Sequence, residues 1–179
     1  MSNQRIANRY AKSIFLLASD TKQEEEILKD MLLIAEVFSQ NRELMLLIHN
    51  PVVRDLKKYE ILKRVFSGKI NAVTLKFLEI LGCKGRVGVL PEVAEAFTQL
   101  YNEYKGLVPA KLTLAIEPYD EIKKSISSFV AQKTGKTPLM KYSVDPNIIG
   151  GYILTVEGQQ LDNSVAGKLQ DLRVKLANK

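Results

Sequence analysis

Among its 179 residues the chain has one cysteine, Cys83, one histidine, His49, and no tryptophan. A disulfide within the chain is excluded, and a Cys/His zinc site lacks the three or four ligands it requires. No apolar run approaches the roughly 18 residues needed to cross a bilayer. The opening MSNQRIANRYAKS carries no apolar signal core. These absences point to a cytosol-facing protein without direct membrane insertion, whose attachment to a membrane would run through partners.

Catalytic constellations are equally scarce. Cys83 has no base partner evident in the sequence, and His49 precedes Asn50-Pro51 at the end of a helical segment, so both read as packed or surface residues. Glu24, Glu25 and Glu26 sit where a helix N-terminus favours them. Gly135-Lys136-Thr137 resembles the end of a phosphate-binding loop, but the glycine required five residues earlier is Val130, and a helix precedes the motif where a strand should. Gly150-Gly151 runs on into a strand instead of opening a helix, so glycine there reads as a bend or a close backbone approach. No cofactor is expected.

What the chain does have is 46% apolar and 26% charged residues, enough to fold a soluble core, and a formal charge of +6. Up to Lys105 there are 16 basic and 13 acidic residues, and after it 10 and 7, so each part carries +3 and no basic tail emerges. The densest basic cluster, Arg54, Lys57, Lys58, Lys63, Arg64 and Lys69, is diluted by Asp55 and Glu60 and holds one aromatic, Tyr59. It reads as a solvated helix face with no nucleic-acid footprint. A basic helical RNA-binding or adaptor protein remains the rival reading, motivated by a pI of about 9.3.

Apolar spacing divides the chain near residue 106. Up to there it is helical: a first helix from about Asn3, then Lys22 to Gln40, Glu43 to His49, Asp55 to Phe66, Ala72 to Gly82, and Pro91 to Tyr104. Six helices joined by short turns predict an antiparallel bundle over 1–105. From 106 to 179 the period changes to two. Leu112, Leu114 and Ile116 predict a strand; Ile122, Ile126, Phe129 and Val130 stripe a helix with Asp120 as N-cap and Gly135 as left-handed C-cap. Met140, Tyr142 and Val144 alternate again, Tyr152, Leu154 and Val156 return, and Glu157-Gly158 turns into a short strand. Asp162, Asn163 or Ser164 caps a last helix striped by Val165, Leu169, Leu172 and Leu176. The expected fold is mainly α with a small α+β C-terminal domain, a sheet with two helices.

Two helices are apolar over more of their circumference than a small bundle needs. Ile6, Tyr10, Ile14 and Leu17 form one stripe of the first helix and Ala7, Ala11, Phe15 and Ala18 another, while Ala72–Gly82 carries Leu75, Phe77, Leu78, Ile80 and Leu81. Both are either central in the bundle or the walls of a groove for an amphipathic helix from another protein.

Several motifs occur in an order that carries a resemblance. IANRYAKSIFLLA (Ile6 to Ala18), Asn50-Pro51, GRVGVLPEV (Gly85 to Val93) and VDPNIIGG (Val144 to Gly151) are together similar to the delta subunit family of bacterial F-type ATP synthases, equivalent to the mitochondrial oligomycin-sensitivity-conferring proteins. The structural signature within the last motif is Asp145, Pro146, Gly150 and Gly151. Asn147, Asn163 and Ala166 depart from residues common in the family, the last by removing a basic charge. The resemblance implies a stator protein without catalysis or cofactor. In such a protein the N-terminal bundle receives alpha-subunit N-terminal helices and the C-terminal domain holds the peripheral-stalk b subunit, at the cytoplasmic face of a bacterial inner membrane. On that footing the groove would be lined by Ala7, Tyr10, Ala11 and Ile14 from one wall and Phe77, Ile80 and Leu81 from the other.

Overall fold

The structure, a computed structural model, describes residues 3–177. It is mostly helical with a small four-stranded sheet, and its Cα packing separates two compact units, Met1–Tyr101 and Asn102–Lys179.

The first unit holds α1 (Asn3–Asp20), α2 (Glu24–Gln40), α3 (Arg42–His49), α4 (Asp55–Phe66), α5 (Ala72–Cys83) and the greater part of α6 (Leu90–Tyr104). Its connections are short, and each break has a local cause. Lys22 takes a positive φ of 54° between α1 and α2. Asn50 is extended ahead of Pro51, which cannot tolerate a helical residue before it. The core is continuous through the helices: Ile14, Ile27, Met31, Ile34, Leu62, Phe66, Leu78, Leu90 and Phe97 are almost wholly shielded from solvent. Phe15 meets Phe97 edge to face, with ring centroids 5.7 Å apart.

α5 is fixed at both ends. At its start the Asn71 side chain accepts from the Val73 N–H at 2.9 Å, and the Asp30 carboxylate of α2 accepts from the Asn71 N–H at 2.8 Å and the Thr74 hydroxyl at 2.5 Å. Asp30 is buried beside a helix N-terminus, where backbone N–H groups are otherwise unpartnered. Near its end Gly82 lies against Tyr59 of α4 so closely that a Cβ would stand 2.9 Å from the tyrosine Cβ.

The second unit contains β1 (Leu107–Leu114), α7 (Asp120–Thr134), β2 (Thr137–Val144), β3 (Tyr152–Val156), β4 (Gln159–Asp162) and α8 (Val165–Ala177). The sheet order is β2-β1-β3-β4. β1 and β2 run parallel with α7 as the crossover that parallel pairing requires, and the other pairs are antiparallel. Register places Tyr142, Leu112, Leu154 and Leu161 in one row across the sheet. The face bearing Val108, Ala110, Leu112, Leu114 and Leu154 packs with Val130 and Ile126 of α7, which is why the strands alternate. β1 ends at Leu114, so Ile116 lies beyond the strand and is exposed.

Capping follows sequence except at one helix. Gly135 adopts φ 67° and its N–H binds the Ala131 carbonyl. Ser164 is the cap of α8, its hydroxyl accepting from the Gly167 N–H at 2.9 Å. At α7 the capping position belongs to Tyr119, and Asp120 is the first helical residue. Its carboxylate therefore binds Lys123 Nζ at 3.1 Å instead of an orphan N–H, and favours the helix through the macrodipole.

Candidate partner-binding surfaces

Along α1 the helical period sends Ile6, Ala7, Ala11, Ile14 and Ala18 inward. Ala7 and Ala11 are fully buried and Ile14 nearly so. On α5, Phe77 and Leu81 are buried with Leu78, while Ile80 stands 52% exposed. Five of the seven groove positions expected from sequence are thus interior residues in this chain, and they cannot be an open wall: Ala7, Ala11, Ile14, Phe77 and Leu81. Apolar periodicity marks a face for burial without saying whether the neighbour is the same protein or another.

What reaches the surface is the edge of this packing. Tyr10 is half-buried, meets the Phe77 ring edge to face at 6.3 Å, and has the Arg9 guanidinium 5.9 Å from its ring centre. Leu17 lies two turns further along the same face of α1 and is exposed, as is Leu16. Periodicity had already put Leu17 in the stripe of Tyr10, but its exposure needed the fold.

Asp145, Pro146, Gly150 and Gly151 gather at one end of the second unit and build a joint. The Asp145 carboxylate accepts from the Asn147 N–H at 3.0 Å and so starts a single 3-10 turn. Ile149 follows at φ 66°, ψ −40°, and the Gly150 N–H reaches back to the Ile148 carbonyl at 2.8 Å. That is a γ-turn of the rarer hand, strained for a β-branched residue. Gly151 takes φ 76°, and a Cβ on it would lie 2.3 Å from the Asn163 carbonyl oxygen. A Cβ on Gly150 would press on Val165 at 3.3 Å. The glycine pair brings the start of β3 against the root of α8, with the Val165 N–H on the Gly150 carbonyl at 3.0 Å.

The second unit also leaves much apolar surface uncovered. A groove of about 670 Å³ is bounded by Leu114, Ile116, Ile122, Ile126, Ile149 and Tyr152, with Glu121 at its edge. Phe129, Leu161 and the α8 stripe are exposed as well.

The residues of the phosphate-loop-like motif make structural contacts. Lys136 donates to Glu157 at 2.7 Å, and this hydrogen bond with the adjacent negative charge holds the ammonium above its ordinary value. Thr137 opens β2. The Asp162 carboxylate is held below its ordinary value by the Ser164 hydroxyl and backbone N–H. Cys83 and His49 are exposed. Within the basic cluster Lys58 is buried and paired with Asp55 at 3.2 Å, which removes it from any cationic surface. Among the described residues no group of acidic, Cys or His side chains could hold a metal ion, and no helix is long and apolar enough to cross a membrane.

Fold and surfaces define a two-unit protein: a helical unit and a small α+β unit, each with exposed apolar surface. The profile described as ATP synthase delta (OSCP) subunit matches residues 6–176, and the chain belongs to that family. Relatives called ATP synthase subunit delta include one from Flavobacterium psychrophilum, 34% identical over 99% of this chain and 100% of its own. Another, from Cytophaga hutchinsonii, is 33% identical over 98% and 96%. Among solved structures, a chain of the Toxoplasma gondii mitochondrial ATP synthase hexamer has the same fold, with a TM-score of 0.70 at 23% identity over 96% of this chain and 97% of its own. The chain is a structural stator subunit of an ATP synthase, linking its catalytic head to its stalk.

Proposed function

We propose that the six helices of the first unit pack as a bundle that receives an N-terminal helix of the alpha subunit, and that the second unit holds the C-terminal end of the peripheral-stalk b subunit. The complex is the F-type proton-translocating synthase, and the chain works peripherally on the cytoplasmic face of a bacterial inner membrane. Bound at both ends, it keeps the head from turning with the rotor during ATP synthesis.

The observation that carries the alpha-binding half is apolar surface left exposed at Leu17 on α1 and Ile80 on α5, together with the half-buried Tyr10 braced against Phe77. An aromatic held by a second ring presents a rigid apolar anchor, so little side-chain entropy is lost when a partner covers it. The incoming segment orders on binding, and the apolar area it buries must outweigh that cost. A nanomolar contact corresponds to about 12 kcal/mol, and loss of about 3 kcal/mol at one anchor weakens it roughly a hundredfold, mainly through faster dissociation.

Ile80→Asp alters an exposed side chain and is expected to lower affinity for an alpha N-terminal peptide by about a hundredfold at an unchanged unfolding midpoint. Tyr10→Asp has the same expected effect, checked by circular dichroism. A folded Ile80→Asp chain that binds the peptide as the wild type does would refute this surface.

A further inference from the structure

The last helix is exposed over most of its length. Its root is locked: Asp162 accepts from the Ser164 N–H at 2.8 Å, the buried Ser164 hydroxyl from the Gly167 N–H, and Val165 lies against Gly150. Beyond that root every residue from Lys168 to Leu176 is exposed. A helix of 13 residues is marginal in water when nothing packs on it.

Its apolar residues follow a definite rule. Val165, Leu169, Leu172 and Leu176 are spaced by four, three and four residues, the alternation of a coiled-coil seam, and are 41%, 46%, 54% and 74% exposed. With Val165 and Leu172 at d and Leu169 and Leu176 at a, the g positions are Lys168 and Lys175 and the e positions Ala166 and Arg173. The one acidic residue, Asp171, falls at c, away from the seam. Three of the four flanking positions are therefore cationic and none is acidic.

We propose that α8 forms one strand of a two-helix coiled coil whose other strand is an amphipathic helix of another subunit with acidic e and g flanks. This rests on the stalk-binding reading above and names the surface and charge by which the b subunit would be recognised. A second copy of this chain is the wrong occupant. In parallel pairing Lys168 would face Arg173 of the copy, and in antiparallel pairing Lys168 would face Lys175. A bilayer is also a poorer fit, because a two-in-seven seam is narrower than the apolar face of an interfacial helix.

The test titrates the full chain with two synthetic peptides that share leucines at a and d and differ only in having glutamate or lysine at e and g. The glutamate peptide is expected to bind at least about tenfold more tightly, the range three partly screened ion pairs can supply. Lys168→Glu, Arg173→Glu and Lys175→Glu together should invert the preference, and Leu169→Asp with Leu172→Asp should abolish both complexes. Because these side chains are exposed, the circular dichroism of the remainder should not change. Equal binding of the two peptides, self-association of the wild type, or binding only to phosphatidylglycerol vesicles would overturn the proposal. The soluble part of the b subunit, titrated on the same proteins, separates the two readings. If it binds wild type and the Leu169/Leu172 double variant alike, α8 is not the docking surface although the stalk reading stands. If it fails to bind the wild type, the stalk reading falls and takes the named partner with it.

Discussion

The two units solve the problem of a small core in opposite ways. In the first, large side chains from α1, α2, α4, α5 and α6 close over one another, and exposed apolar residues away from Tyr10, Leu17 and Ile80, such as Leu46 and Leu56, are scattered. In the second, the core is Val108, Ala110, Leu112, Leu114, Val130 and Leu154, while Phe129, Ile149, Leu161 and the whole α8 stripe remain outside. Scattered exposed residues need no explanation, but contiguous ones mark surface that something else covers. The first unit closes over its own core, and the second leaves more of its apolar side chains exposed.

The comparison can be broken most forcefully at the cores. Phe97→Ala should cost about 4 kcal/mol and Leu112→Ala about 3 kcal/mol, read from urea unfolding. Each loss should be confined to its own unit, with the peptide-binding activity of the other retained. Gly151→Ala is next, expected at about 3 kcal/mol, because the new Cβ would meet the Asn163 carbonyl at a positive φ. Its damage should appear in the second unit and release the root of α8, visible as loss of amide protection at Val165. In the other direction, Ile149→Gly should stabilise the second unit by about 1 kcal/mol, since glycine accepts the γ-turn without strain. A destabilised Ile149→Gly protein would mean that the isoleucine side chain contributes more than its exposed position allows.

The smallest effect concerns acid. Asp162 has a folded pKa below its ordinary 3.8, so its stabilisation of the α8 root is complete above that value and is lost as pH falls through the lower folded one. Asp162→Asn should flatten the acid limb of the second unit's unfolding curve and leave neutral-pH binding by the first unit unchanged.

Helix positions were legible because a period of 3.6 survives in α1 through α6, and proline and glycine mark the breaks at Asn50-Pro51 and Gly135. The strand–helix–strand run of the second unit was legible for the same reason. Its strand order was not, because β1 pairs with β2 and β3 alike through contacts that no local pattern encodes. The candidate groove was only partly legible. Ala7 and Ala11 are small and apolar whether they admit a foreign helix or the chain's own, and here they are interior. Asp120 was misplaced by one position because Tyr119 has no capping side chain to announce it. The strain at Ile149 left no sequence signal, since isoleucine is among the last residues expected at positive φ. The α8 stripe was plain in the sequence, and its exposure was visible only in the structure.

The central claim is that this chain joins two bodies that do not otherwise hold together. Sedimentation of purified catalytic heads with soluble peripheral stalks, in the presence and absence of the chain, tests it most directly. The account predicts one co-sedimenting complex of head, chain and stalk when the chain is present and separate head and stalk boundaries when it is omitted. Heads and stalks that co-sediment equally well without it would contradict the account.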